Sequence, residues 1–179
     1  MRVSERSEED YRRLIRDVKD FPHAGVAFKD ITPLLADAGA FAELVEDMAA
    51  PFRDSQVDAV VGIEARGFIL AAPVALALRA GFVPVRKVGK LPWAVHSESY
   101  ELEYGSGQLE VHQDGVAANQ RVLIVDDVLA TGGTAAATAR LVERMGALPV
   151  GFSFALELCF LEGRARIADL PTFSLVTYR

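Results

Sequence analysis

Apolar and polar positions along the chain change period several times, and the changes mark its elements. From Ser7 to Val18, Tyr11, Leu14, Ile15 and Val18 fall on one helical face, with Ser7 able to cap and Glu8 to Asp10 in the first turn, so an amphipathic helix is expected there. The stretch "DFPHAGVAFKDITPLL" breaks that period with Pro22, Gly25 and Pro33, and a second helix is expected from about Ala40 to Phe52. Strand-like and helix-like segments then alternate. "VDAVVGIEA" reads as a strand, "GFILAAPVALALRAG" as a helix with Pro73 near its start, and "FVPVRKV" as a strand. "RVLIVDDV" is a strand, "GGTAAATARLVERMGA" a helix, and "LPVGFSFALELCFL" and "FSLVTY" are strands. This alternation predicts an α/β fold with a mainly parallel central sheet flanked by helices.

One segment departs from the rhythm. "YELEYGSGQLEVH" alternates polar and apolar residues around Gly105-Ser106-Gly107, the pattern of a β-hairpin. Its polarity predicts a flap, spanning about 91–115, that stands away from the core. No repeat, low-complexity tract or linker interrupts the chain, so a single domain over 1–179 is expected, with residues 1–35 as an N-terminal helix and binding segment.

Composition adds few constraints. The 179 residues are 51% hydrophobic and 25% charged, ordinary for a soluble globular domain. The net charge of −6 argues against a general nucleic-acid binder, which carries a basic field, yet leaves room for one small anion in a local site. Cys159 is the single cysteine, so no internal disulfide can form; its apolar surroundings suggest buried filler, and a reducing cytoplasm suits it. The start "MRVSERSEEDYRRLIRDV" is charged rather than apolar, unlike a signal peptide, and no apolar run approaches the ~20 residues that span a bilayer. No membrane association is expected.

The chemistry concentrates in "VLIVDDVLATGGT", Val122 to Thr134. An apolar strand ends in Asp126 and Asp127, and a loop of small residues leads into a helix. Ligands of open α/β sheets bind beyond the carboxyl ends of strands. Gly132 and Gly133 let the backbone approach a phosphate, Thr131 and Thr134 add hydroxyl donors, and the helix N-terminus favours an anion. The carboxylates repel that phosphate, so they must face hydroxyls or a divalent cation on the same ligand. A phosphate beside a pair of hydroxyls describes ribose 5-phosphate. Neither the G-x-x-x-x-G-K-[ST] loop of nucleotide triphosphatases nor a G-x-G-x-x-G dinucleotide fingerprint is present.

This long stretch resembles the phosphoribosyl-pyrophosphate signature of the type I phosphoribosyltransferases. "DFPHAGVAFKDITPLL" resembles the base-binding segment of the adenine phosphoribosyltransferase family, and "RKVGKLP" followed by "YELEYG" resembles that family's lysine-bearing strand end and catalytic flap. The resemblance runs from about Asp20 to the C-terminus. It implies the type I phosphoribosyltransferase fold and a purine-salvage reaction. Adenine N9 attacks C1′ of phosphoribosyl pyrophosphate, pyrophosphate leaves with Mg²⁺, and AMP forms with inversion.

The resemblance also implies roles. Ala130, Thr131, Gly132, Gly133 and Thr134 take the 5-phosphate, and Asp126 and Asp127 take the ribose hydroxyls. Pyrophosphate needs cations, offered by Arg66, Arg86, Lys87 and Lys90. Phe28 stacks on adenine while the main chains of Ala27 and Lys29 read its edge; the family usually carries Arg where Lys29 stands. Glu103 handles a proton near the purine and Tyr104 shields the sugar and leaving group, so Glu103, Tyr104 and Arg66 form the catalytic set. A cis peptide is expected at Glu64–Ala65. Mg²⁺ is expected with the substrate rather than on protein ligands, and a homodimer is implied.

Two rivals remain open. An oxo-purine phosphoribosyltransferase generally reads the 6-substituent with a late lysine, and no lysine follows Gly151. A non-catalytic regulator that kept the sugar-phosphate site would need a basic nucleic-acid-binding addition, and the chain shows none. Trp93 to Ser99 is more apolar than the resemblance leads one to expect in a flap stem. His23, His96 and His112 have no metal-ligand spacing and read as surface residues.

Overall fold

The computed structural model describes residues 6–101 and 106–179. Helix α1 (Glu8–Arg13) begins in a capping box. The Ser7 hydroxyl accepts from the Asp10 amide at 3.3 Å, and the Asp10 carboxylate accepts from the Ser7 amide at 3.0 Å. The helix ends well short of the predicted Val18. Residues beyond Ile15 become strand β1 (Arg16–Lys19), which pairs antiparallel with β2 (Ala27–Asp30), Val18 opposite Phe28. Pairing with the following strand overrides the local helical period.

A short helix α2 (Thr32–Ala36), not expected from the pattern, starts with Pro33 in its first turn. Helix α3 (Ala38–Ala49) is capped by Asp37, whose carboxylate accepts from the Ala40 amide at 2.8 Å. The predicted continuation to Phe52 is instead a 3₁₀ turn, Ala50–Ser55, with Pro51 in its first turn.

The remaining strands are β3 (Ala59–Ile63), β4 (Gly81–Lys87), β5 (Val95–Glu101), β6 (Ser106–His112), β7 (Arg121–Leu129), β8 (Leu148–Leu158) and β9 (Thr172–Tyr178). They form a seven-stranded sheet in the order β5-β6-β4-β3-β7-β8-β9. β4, β3, β7, β8 and β9 run parallel, as the alternation predicts. Helix α4 (Gly67–Leu78) joins β3 to β4, and α5 (Gly133–Arg144) joins β7 to β8.

Both sheet faces are covered. Val60, Leu123 and Val125 pack with Leu44, Met48, Leu70 and Val74 of α3 and α4. Val61, Ile124 and Phe154 pack with Ala137 and Leu141 of α5. Every residue of β3 is therefore buried, which explains its unbroken apolar run. Pro73 lies at the seventh residue of α4 rather than near its start, so the Ile69 carbonyl loses its helical partner.

The hairpin is less detached than expected. Arg86 pairs with Glu110 and Lys87 with Leu109, joining β6 to β4, and Leu109 and Val111 are buried in the core. Ser106 and Gly107, expected at the turn, belong to β6. Cys159 is also only half-buried, because β8 stops at Leu158 and the chain turns into a 3₁₀ segment, Cys159–Leu161. His96 and His112 are partly buried and His23 is exposed. Among the described residues, no helix is long and apolar enough to cross a membrane.

Close packing of α4 on β3 depends on Gly62. A Cβ there would lie 2.6 Å from the Ala71 Cβ and 2.8 Å from the Phe82 ring. Gly62→Ala is expected to destabilise the fold by roughly 1–3 kcal/mol through overpacking, read from urea unfolding midpoints; an unshifted midpoint would show that the layers can part freely.

Candidate active site

From β3 the chain moves outward to β4, and from β7 it moves the other way to β8 and β9. The strand order therefore reverses between β3 and β7, where a crevice opens beyond the carboxyl ends. A cavity of about 390 Å³ lies there. Ile63 to Arg66 from the β3 end, Asp126 to Gly132 from the β7 end, and Thr134 of α5 line it, with Lys87, Tyr100 and Leu109 closing other sides.

Ala130 to Thr134 form the loop from β7 into α5. Gly132 adopts φ +77°, the left-handed region that favours glycine, and no side chain caps the helix. The first helical bond runs from the Ala136 amide to the Gly132 carbonyl, so the first-turn amides are left for an anion. Ala130, Thr131, Gly132 and Thr134 line the cavity; Gly133 is buried beneath.

Asp126 and Asp127 stand side by side in this cavity. Asp127 is 6% exposed and accepts a hydrogen bond from Arg66 Nε. Asp126 accepts the Asp127 amide at 2.9 Å and packs on Gly67, where a Cβ would come within 2.5 Å of its oxygen. Burial, then repulsion from Asp127, pushes the Asp126 carboxyl well above its ordinary range.

Arg66 precedes the first residue of α4, just after the cis Glu64–Ala65 peptide that the resemblance implied. Its guanidinium spans two parts of the site: it pairs with Asp127 and lies 5.1 Å from the centre of the Phe28 ring. Lys87 also lines the cavity. Arg86 and Lys90 do not. The Arg86 guanidinium forks onto Glu64 at 3.2 and 3.3 Å and donates to the Lys90 carbonyl at 3.0 Å. Burial tends to raise the Glu64 carboxyl, but the Lys87 amide at 2.9 Å and Arg86 outweigh it and hold it low. Lys90 is exposed beside Gly89, whose amide donates to Glu110 of β6 at 2.9 Å.

The residues expected to bind the base, Ala27, Phe28 and Lys29, lie on β2. Phe28 meets Phe21 edge to face at 5.2 Å, and Arg66 connects it to the cavity. Ala27 and Lys29, two apart on one strand, present their backbone groups along the same edge. The Lys29 side chain is held elsewhere, 2.5 Å from Asp17 and 4.1 Å from the centre of the Tyr178 ring. Glu103 and Tyr104 lie outside the described residues.

Residues 34–157 match the phosphoribosyl transferase domain family. The chain is 56% identical over 169 residues to the adenine phosphoribosyltransferase of Myxococcus xanthus, covering 94% of this chain and 92% of that protein. This chain belongs to the adenine phosphoribosyltransferase family. Solved structures agree. The adenine phosphoribosyltransferase of Rhodothermus marinus superposes with a TM-score of 0.92 at 49% identity, over 96% of this chain and 98% of that one. The Saccharomyces cerevisiae adenine phosphoribosyltransferase, complexed with an imino-altritol bisphosphate and adenine, gives 0.90 at 38% identity, over 94% and 98%. As a member of this family the chain is a pentosyltransferase, an enzyme of the glycosyltransferase class.

In this adenine phosphoribosyltransferase family member, the Ala130–Thr134 loop has a support that motif reading did not reveal. Gly163 packs against it so closely that a Cβ at Gly163 would overlap the Ala130 carbonyl, and one at Gly132 would overlap the Gly163 carbonyl. Arg164 secures that turn, with Nε 2.9 Å from Glu157 Oε1 and Nη1 2.9 Å from the Thr172 carbonyl. Its bonds hold the buried Glu157 carboxyl below its ordinary value. The "EGR" after the run "FALELCFL" was the available signal, but nothing local ties it to Ala130, 33 positions earlier.

Asp126 is expected to keep its proton above the ordinary carboxylate value near 3.8, and Asp127→Asn to lower its midpoint by removing the neighbouring charge. Carboxyl-carbon NMR shifts followed against pH would test both; an unmoved midpoint in the variant would rule out repulsion as a cause.

Proposed function

We propose that this chain transfers the 5-phosphoribosyl group of phosphoribosyl pyrophosphate to N9 of adenine, giving AMP and pyrophosphate in purine salvage. The observation that carries this reading is a carboxylate pair beside an uncapped glycine loop in one cavity at the strand-order switch. Relatives at 50–56% identity over more than nine-tenths of this chain are adenine phosphoribosyltransferases, which supports adenine as the acceptor.

The 5-phosphate goes to the amides and hydroxyls of Ala130 to Thr134, a helix N-terminus without a side-chain cap. Asp126 and Asp127 accept from the ribose hydroxyls, and their charge favours the cationic character that grows at C1′ as the bond to pyrophosphate lengthens. Arg66 and Lys87 stand on the cavity wall to receive the leaving pyrophosphate, with Arg86 and Lys90 on the same strand end and loop. Phe28 stacks on adenine and the backbone of Ala27 and Lys29 reads its edge, so the engagement of the Lys29 side chain with Asp17 costs the base nothing. Glu103 and Tyr104 keep their roles in proton handling and shielding as the family resemblance implies.

Mg²⁺ fits this site as an ion carried on the donor's oxygens, where it would neutralise the leaving group. The repelling pair Asp126 and Asp127 supplies the negative charge beside it. A cytoplasmic location suits the single cysteine.

A homodimer accounts for apolar side chains left in water. On and beside α4, Ile69 is 44%, Leu76 79% and Phe82 39% exposed. Leu76→Glu is expected to convert a dimer to monomer in sedimentation or light-scattering measurements; an unchanged mass would place the interface elsewhere.

The deciding assay offers adenine, hypoxanthine, guanine and xanthine separately with phosphoribosyl pyrophosphate and Mg²⁺. AMP from adenine is expected, with the oxo-purines poor substrates. Folded protein that forms no AMP above background would end this reading.

A further inference from the structure

Strand β5 is an edge strand of the sheet, and among the described residues its hairpin joins the sheet through two residue pairs, Arg86 with Glu110 and Lys87 with Leu109. Its free side is gripped by α5. Glu98 of β5 has a side chain only 14% exposed and receives two guanidinium groups, Arg140 Nε at 2.7 Å on one oxygen and Arg144 Nη2 at 2.5 Å on the other. The same arginines reach the strand backbone: Arg144 Nη1 donates to the Ser97 carbonyl at 2.7 Å and Arg140 Nη2 to the Ser99 carbonyl at 3.4 Å.

Arg140 and Arg144, four residues apart, share one helix face. The contacts run in step, Ser97 with Arg144 and Ser99 with Arg140, so β5 runs antiparallel to α5. The next residue, Tyr100, lies toward the end of α5 that carries the phosphate loop, and it lines the cavity. Its ring covers Gly107, its partner on β6, where any Cβ would overlap the ring. One helix thus carries the phosphate-binding amides at its N-terminus and fixes the hairpin near its other end.

We propose that Glu98 is a positioning residue for phosphoribosyl transfer: gripped by Arg140 and Arg144, it sets the register of β5 on α5 and so places Tyr100 as a wall of the cavity. This rests on the transfer reaction proposed above. The Trp93–Ser99 stretch, unexplained by motif, thereby acquires a function at its end. Arg140 and Arg144 keep about half of their side-chain surface in water, so both guanidiniums stay solvated when the Glu98 charge is removed and its amide replacement keeps the shape. Loss of the clamp should therefore disturb the site far more than the fold. A displaced wall admits water, which attacks C1′. The C1′–O bond to pyrophosphate breaks, water oxygen bonds to C1′, one proton is released, and ribose 5-phosphate and pyrophosphate form.

The test compares wild type, Glu98→Gln and Arg144→Met for AMP formation, for pyrophosphate release without adenine, and for thermal unfolding. Glu98→Gln is expected to lower kcat for AMP by about fivefold or more and to raise the ratio of hydrolysis to transfer by a similar factor. Its Tm should move by no more than about 3 °C. Arg144→Met, which leaves Arg140 in place, should shift the ratio in the same direction by less, and it carries the test if Glu98→Gln does not fold. A wild type that makes no AMP overturns the transfer reading itself. A wild type that makes AMP, with variants whose kcat and ratio match it or fall only with the folded fraction, overturns the positioning role alone.

Discussion

Two carboxylates forced together at the end of a buried strand set the terms for everything around them. Asp126 and Asp127 repel each other and are partly withdrawn from water, which pushes the Asp126 carboxyl upward. Such a pair persists only where positive charge or hydroxyl donors are at hand. Arg66 supplies charge to Asp127, and in the proposed reaction the sugar-phosphate donor would supply hydroxyls and its cation. The cost of the pair in the free protein becomes a preference for a ligand that brings both.

The surroundings hold this pair beside an anion site without neutralising it. Gly67 lets α4 begin against Asp126, and Gly163 lets a distant turn lie against the phosphate loop. Glu64 absorbs Arg86 and the Lys87 amide, which steadies the strand end that presents Lys87 to the cavity. Arg66 joins Asp127 to the ring of Phe28, so one guanidinium connects the carboxylate pair with the aromatic ring proposed to hold the base. Most of these supports are glycines or ion pairs rather than large apolar side chains, because each must approach a ligand or a backbone closely.

Helix α5 has two duties. Its N-terminus presents unpaired amides, while Arg140 and Arg144 hold the outer strand of the hairpin. Rigidity in one helix then relates the phosphate loop to the hairpin wall. Glu110 makes a second connection, from β6 to the Gly89 amide of the cation-bearing loop and toward Ser97 at 3.4 Å.

The run from Val122 to Thr134 declared its strand, its carboxylates and its glycine loop without any partner, because apolar runs, adjacent acids and paired glycines are local facts. The parallel sheet followed from the alternation of segments, since strands buried on both faces read as unbroken apolar runs. Other features depended on partners outside the local segment. Residues 16–19 look helical by period, yet β2 draws them into a strand, and Leu109 and Val111 look like flap residues until β4 brings them into the core. Arg86 reads as a free cation until Glu64 is folded against it, and Gly163 reads as a mere turn until it meets Ala130. Sequence alone determined which residues could carry the chemistry, since residue type and spacing limit what a loop can bind. Tertiary structure decided which charges face the cavity and which are spent on one another, because pairing energies depend on distances that no local pattern contains.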